Sequence, residues 1–394
     1  SPIFGAIIDN ARPTRFGKRR PFLLAGIPIM SIGLVLIWLP PLLCTSTDCL
    51  DQRVAVFFWL MILVYYFGFS LIRNSYLSML PEQAQVDKNR VAISGLQGAF
   101  SIVATILGIL LPNIVQSMLD DPTNPFHATP DGQLLLLVIP WMAIVFAAGA
   151  TIVTLFAFFT VDESFHRASE ERPATSIKAV LAGIFKPFTS KENGRWLATS
   201  FLMNTAMRMI TSILLPFMTY VLLLKQSEFI ILMVALLPFA GAGFVFWQKR
   251  AKRGLKKVYL HASIGIATAM AAAAIFLLDM DKALKITLAY SIIAVCLFCL
   301  VVGFLIPNPI ISKLVDMAPD AGNEVATQKK SQSGAYFGSY LFMLNMANVA
   351  GDFIFGAILT GGNATNPIAI AMFFPVSAVF YFVSVLVFNR SKIE

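Results

Sequence analysis

Charged side chains are scarce in this sequence: Asp, Glu, Lys and Arg make up 13% of its 394 residues, about half the roughly 25% of a soluble globular chain. A water-facing surface cannot be assembled from so few, which excludes an ordinary soluble domain. Histidine is scarcer still, with three residues, His127, His166 and His261. No two of them have metal-ligand spacing, so no metal site is expected. Phosphate-cradling glycine loops of the Walker type are missing, which sets ATP-driven transport aside. No nucleophile, base and orienting group stand together at interpretable spacing, so an enzyme is the least favoured class, and no cofactor is expected. The four cysteines fall into two pairs. Cys296 and Cys299 lie in an apolar run and read as packing. Cys44 and Cys49 share a short loop and form a disulfide option if that loop faces an oxidising compartment.

What is abundant is apolar: 57% hydrophobic residues, 34 Phe and a mean hydropathy of +0.75. That composition describes a polytopic helical protein surrounded by membrane lipid. A helix needs about 20 apolar residues to cross a bilayer. Ten runs meet that length, at 21–43, 54–72, 92–119, 134–160, 195–224, 228–248, 258–279, 285–312, 332–360 and 367–389. Residues 1–8 are a shorter apolar stub. The net charge of +9 does not point to nucleic acid, because the cations sit in alternate loops. Of 30 Lys and Arg, 25 fall in one set of loops and four in the opposite set, with Arg208 left inside a span. This bias places both visible ends on the cytoplasmic side of a multi-pass protein.

The stretch 161–194 is the longest polar segment, with an amphipathic piece at 176–188. It divides the chain into an N-terminal bundle at 1–160, a cytoplasmic linker with an interfacial helix at 161–194, and a C-terminal bundle at 195–394. The basic turn Arg15-Phe16-Gly17-Lys18-Arg19-Arg20-Pro21 has an echo at Lys249-Arg250-Ala251-Lys252-Arg253-Gly254. Superposing Gly254 on Gly17 leaves the first half about 43 residues shorter ahead of the turn. The expected fold is therefore all-α, two six-helix bundles, with the first helix and most of the second absent from this chain.

The basic turn resembles the signature loop of major facilitator superfamily transporters. Its Gly-Lys-Arg-Arg-Pro ending is most similar to the glycoside–pentoside–hexuronide:cation symporter branch, the melibiose-carrier type. Three further stretches resemble that branch: Asn74 to Glu82 followed by Asp87 and Arg90, Ile184 to Phe188, and Asp316 to Asp320 followed by Glu324. The resemblance implies sugar transport by symport with a proton or sodium. Several positions depart from it, since the branch's acidic residue before the Pro-x-x-Gly turn falls on Ser1, another on Arg73, its aromatic sugar platform on Leu77 and a lysine near Leu344. The branch's sugar and cation sets are thus not reproduced in the visible residues.

Polar groups inside spans are costly and face a cavity or a partner. Arg208 lies near mid-span with Asn204, Thr211 and Ser212 at helical spacing. Asn345, Asn348 and Asp352 form a second stripe, Gln97 and Ser101 a third, and Tyr66 stands on a fourth span. These are the expected solute-binding residues; interhelical hydrogen bonding is the alternative role. Asp9, Arg12, Arg15 and Arg19, with Asp316 or Asp320 as partners, are the expected cytoplasmic gate. Arg208 points to an anionic or hydrogen-bonding group on a small solute held between the bundles near the midplane. The function expected is a secondary-active or facilitative carrier working by alternating access, with proton or sodium coupling an open option. Two rivals stand beside it: a carrier of amphiphiles or lysolipids, and a transport-inactive subunit packed with partners in a membrane complex or holding a lipid or pigment.

Overall fold

A computed structural model describes residues 2–11, 14–40, 52–84, 87–116, 128–161, 163, 187–224, 226–317, 333–360, 363 and 365–393. Among them the secondary structure is helical. The elements are α1 (Pro2–Asn10), α2 (Arg20–Ile37), α3 (Gln52–Ser78), α4 (Leu80–Gln83), α5 (Asp87–Gln116), α6 (Pro130–Thr160), α7 (Lys191–Pro216), α8 (Gln226–Ala251), α9 (Leu255–Ala272), α10 (Lys282–Leu300), α11 (Val302–Leu305), α12 (Pro307–Asp316), α13 (Ser333–Leu359), α14 (Pro367–Ala371) and α15 (Phe373–Asn389).

Each of the ten apolar runs read from the sequence overlaps one or more of these helices over its described residues. Eight helical stretches among the described residues are long and apolar enough to cross a membrane. The other two runs lie on α5 and α8, of 30 and 26 residues. The run at 285–312 is a broken helix. Pro307 and Pro309 cannot continue a hydrogen-bonded ladder, so α10 yields to the short α11 and restarts as α12 at Pro307. Large side chains such as Leu63, Trp141, Phe156 and Phe159 are well exposed. In water such a surface would aggregate; in hydrocarbon it is the expected lipid-facing coat.

Residues divide into two compact units. The first comprises Ile3–Met79 and Thr105–Leu181, the second Leu80–Ala104 and Ala182–Glu394, so α5 begins in the second and ends in the first.

Close helix packing through small residues organises the first unit. A Cβ on Gly33 would sit 2.5 Å from the Tyr65 nitrogen, and one on Gly68 2.4 Å from the Met30 nitrogen. These glycines let the backbones of α2 and α3 approach within van der Waals contact. Ser31 and Thr151 bridge α2 to α6 at 3.2 Å.

In the second unit the packing is aromatic. Trp196 of α7 is fully buried, with ring centroids 5.2 Å from Tyr259, 5.4 Å from Phe388 and 6.1 Å from Tyr340. At the other end of α7, where a π-helical turn follows Pro216, Phe217 packs 4.7 Å from Phe374 and 5.1 Å from Phe276. Edge-on rings at such distances add to the area they bury.

Candidate functional site

The polar residues of α7 recur at a helical spacing, so Asn204, Arg208, Thr211 and Ser212 share one side of the helix. On α13 the residue before Asp352 is Gly351, and a Cβ there would meet Arg208 Cβ at 2.7 Å and the Thr205 carbonyl oxygen at 3.0 Å. The missing side chain lets the Arg208 stem lie directly on the α13 backbone, which delivers the guanidinium to the next residue. Arg208 Nε donates to Asp352 Oδ1 at 2.6 Å and Nη2 to Oδ2 at 3.0 Å, a fork-to-fork pair. Ser212 Oγ lies 3.5 Å from Oδ1. The two charged side chains are 45% and 47% exposed.

An ion pair this open is worth about 0–1 kcal/mol to stability. A single charge at the centre of a membrane helix costs about 2.5–3.5 kcal/mol to insert. Stability alone therefore does not explain why two charges are kept there. Arg208 has five N–H donors, two of which reach Asp352. Asn345 and Asn348, two turns and one turn before Asp352, are exposed as well, so the stripe continues along α13.

Other expected site residues stand elsewhere. Asn204 donates back to the Ser200 carbonyl at 2.7 Å and lines a separate cavity of about 160 Å³ with Tyr259, Ser263, Tyr340 and Tyr381. Gln97 accepts from Asn308 Nδ2 at 2.9 Å, tying α5 to α12, and Ser101 is half-buried one turn further along α5. Tyr66 is 57% exposed in α3, its ring 5.3 Å from Tyr65.

The expected gate residues form two local clusters. In the first unit, Arg19 is fully buried beside Asp9, 3.7 Å from its carboxylate, and Lys18 Nζ donates to the Asp9 carbonyl. Arg15 lies over the Phe16 ring at 4.6 Å. The α2 N-terminus has no capping side chain of its own. Glu163 takes that place from 144 residues away, accepting from the Arg19 N–H at 3.0 Å and the Arg20 N–H at 3.3 Å. A carboxylate at a helix N-terminus satisfies orphan donors and opposes the dipole. Gly17, with φ +103°, makes room, since a Cβ there would be 2.1 Å from Glu163 Oε2. In the second unit, Asp316 pairs with Arg90, which is 3% exposed and also donates to the Ala84 carbonyl at 2.7 Å. Arg12 and Asp320 lie outside the described residues, as do Cys44 and Cys49.

A family profile described as MFS/sugar transport protein matches residues 1–389. The chain belongs to that family. Among curated proteins, the mouse "Major facilitator superfamily domain-containing protein 12" is 28% identical over 106 residues, which are 27% of this chain and 22% of the mouse protein's length. Among solved structures, a bacterial homologue of the iron transporter ferroportin, in an outward-facing state, superposes with a TM-score of 0.65 at 11% identity. That match covers 99% of this chain and 86% of the other. The E. coli fucose:proton symporter FucP gives 0.57 at 12% identity over 97% and 87% of the two chains. These likenesses show the major facilitator fold, and with the eight apolar helices they make the protein an integral, multi-pass membrane protein.

Within this family fold, four structural residues escaped sequence reasoning. Glu163 is one of several charges in a polar stretch, and nothing local marks it as the cap of a distant helix. Asn308 follows Pro307, and nothing local pairs it with Gln97, 211 residues away. Gly351 and Gly17 were open to inference: the first precedes an intramembrane acid, and the second interrupts a basic turn.

Proposed function

We propose that the protein is a secondary-active or facilitative carrier that moves a small organic solute by alternating access, with Arg208 and Asp352 as its recognition pair. The observation that carries this reading is the fork-to-fork contact of two half-exposed charges within membrane-length helices. Water must reach groups so placed, because charges of this exposure facing lipid would go unsolvated. The donors that Arg208 does not direct at Asp352 suit a carboxylate or hydroxyl on the solute, while Asp352 offers acceptors for hydroxyl or ammonium hydrogens. Ser212, Asn345 and Asn348 extend that surface. The family description supports a sugar or sugar-like solute, and the FucP likeness makes proton coupling the first ion to test. The resemblance of the basic turn to the glycoside–pentoside–hexuronide:cation branch, the division into bundles at 1–160 and 195–394, and cytoplasmic termini belong to the same proposal.

The test is uptake by purified protein in proteoliposomes, screened with labelled monosaccharides, uronates and small carboxylates with and without a proton gradient. Arg208→Ala and Asp352→Ala are each expected to lower the initial rate at least tenfold while thermal stability stays close to that of the unmodified protein. Uptake that survives both changes would remove the pair from recognition. No uptake by the unmodified protein, together with stable copurification of a membrane partner, would replace the carrier with a subunit role.

A further inference from the structure

The second unit carries a groove and a charge cluster that the recognition pair does not use. The groove, about 440 Å³, is lined by Leu236 and Phe239 of α8 and by Tyr290, Ser291, Ala294, Val295 and Phe298 of α10. That is a volume typical of small-molecule sites, which span about 300–1,000 Å³. Its lining is almost wholly apolar.

At one end the groove runs into a fixed aromatic corner. Gly243 lets the helices meet there, since its Cβ would lie 2.2 Å from the Phe298 carbonyl oxygen. Trp247 Nε1 donates to that same oxygen at 2.9 Å. Phe246 packs 5.4 Å from Phe298, and the Arg250 guanidinium lies 5.1 Å over the Phe246 ring. From groove to cation the path is continuous: Phe298, Phe246, Arg250. Around Arg250 stand Lys249, Lys252 and Arg253, all exposed. None of these four side chains is paired with a carboxylate among the described residues.

We infer that this surface binds one anionic glycerophospholipid, with its phosphate on Lys249, Arg250 and Arg253 and one acyl chain in the α8–α10 groove. Length supports the match. Phe239 lies 11 positions before Arg250, about 16 Å along the helix at 1.5 Å per residue. One leaflet of a roughly 30 Å hydrocarbon core is about 15 Å deep. The groove thus begins at Phe298, linked through the Phe246 ring to Arg250, and continues to about mid-bilayer depth and beyond at Leu236, a span that the chain of a lipid anchored at Arg250 would enter. Charge supports it too, since clusters of cations at the end of a membrane helix attract anionic headgroups. Helix-dipole and topology roles account for cations near the α8 terminus, but neither calls for an apolar groove opening onto them.

Native mass spectrometry of the full chain released from nanodiscs tests this, comparing phosphatidylglycerol with phosphatidylcholine of the same chains. One phosphatidylglycerol is expected to be retained per protein and to saturate. Each cation near an anionic surface is worth about a fivefold change in affinity. Lys249→Gln with Arg250→Gln should therefore weaken retention about thirtyfold, whereas Lys285→Gln, at the far end of α10, should not change it. Val295→Trp, at an exposed groove position, should weaken it at least tenfold with the basic residues intact. Equal retention of both lipids, or of phosphatidylglycerol in the double variant, overturns the site. Loss in the double variant with full retention in Val295→Trp overturns the chain-in-groove placement.

Discussion

Gly17 and Glu163 offer the sharpest test of the first unit, because geometry assigns their effects to two separable causes. Gly17→Ala forces an L side chain to φ +103°, which costs about 1–2 kcal/mol for the left-handed backbone alone. The added Cβ would also stand 2.1 Å from Glu163 Oε2 and 2.9 Å from its Cβ. Since the near atom belongs to a carboxylate locked onto two backbone donors, Glu163 must leave. Its departure uncaps α2 and forfeits charge-assisted hydrogen bonds worth about 1.5–3 kcal/mol each at good geometry. At 3.0 and 3.3 Å the pair contributes about 2–3 kcal/mol in total. Gly17→Ala should then cost about 3–5 kcal/mol in the unmodified protein. In a Glu163→Ala background only the backbone term remains, so the same change should cost about 1–2 kcal/mol. The coupling of about 2–3 kcal/mol is measurable by equilibrium unfolding in mixed micelles of the four proteins of the cycle. Additivity within about 0.5 kcal/mol would refute the capping role of Glu163.

Gly351→Leu should push α13 off α7, because even its Cβ meets Arg208 Cβ at 2.7 Å; we expect proteoliposome uptake to fall as far as in Asp352→Ala, with a lower unfolding midpoint that Asp352→Ala does not share. Arg90→Ala should destabilise by about 3 kcal/mol or more, since it removes a buried side chain that serves both Ala84 and Asp316, whereas Asp316→Asn, at a partner 42% exposed, should cost about 1 kcal/mol by thermal unfolding.

Membrane helices were legible because hydrocarbon thickness fixes their length and every backbone group must be satisfied within the segment. Hence each of the ten apolar runs overlaps a helix over its described residues, and even the break near Pro307 follows from a missing N–H. The individual polar residues were legible by the same cost argument, which singles out Arg208 and Asp352. Their pairing was not, because 144 residues separate them and one sequence carries no record of which spans adjoin. Gly351 held the missing information in steric form: a small residue beside an intramembrane acid marks where a neighbour comes close. Glu163 was illegible for the opposite reason. Among the many charges of a polar stretch, its burial and its aim at the Arg19 and Arg20 amides exist only in three dimensions.

The two basic turns show what a sequence echo does and does not carry. Each turn is held by the chain just past the end of a helix distant in sequence: Glu163 follows the end of α6 at Thr160, and Ser391 follows the end of α15 at Asn389. In the first, a carboxylate accepts backbone N–H groups of α2. In the second, the Ser391 carbonyl accepts from Lys256 Nζ, and Glu192, at the start of α7, holds the following residue by accepting from the Lys392 N–H at 2.8 Å. Donor and acceptor types have changed while the position has not. Gly17 is left-handed and crowded by Glu163, whereas Gly254 has nothing within 4 Å of an added Cβ. A repeat that conserves cations but exchanges the groups they meet constrains position rather than chemistry. For that reason the echo is a poor guide to which carboxylate meets which arginine.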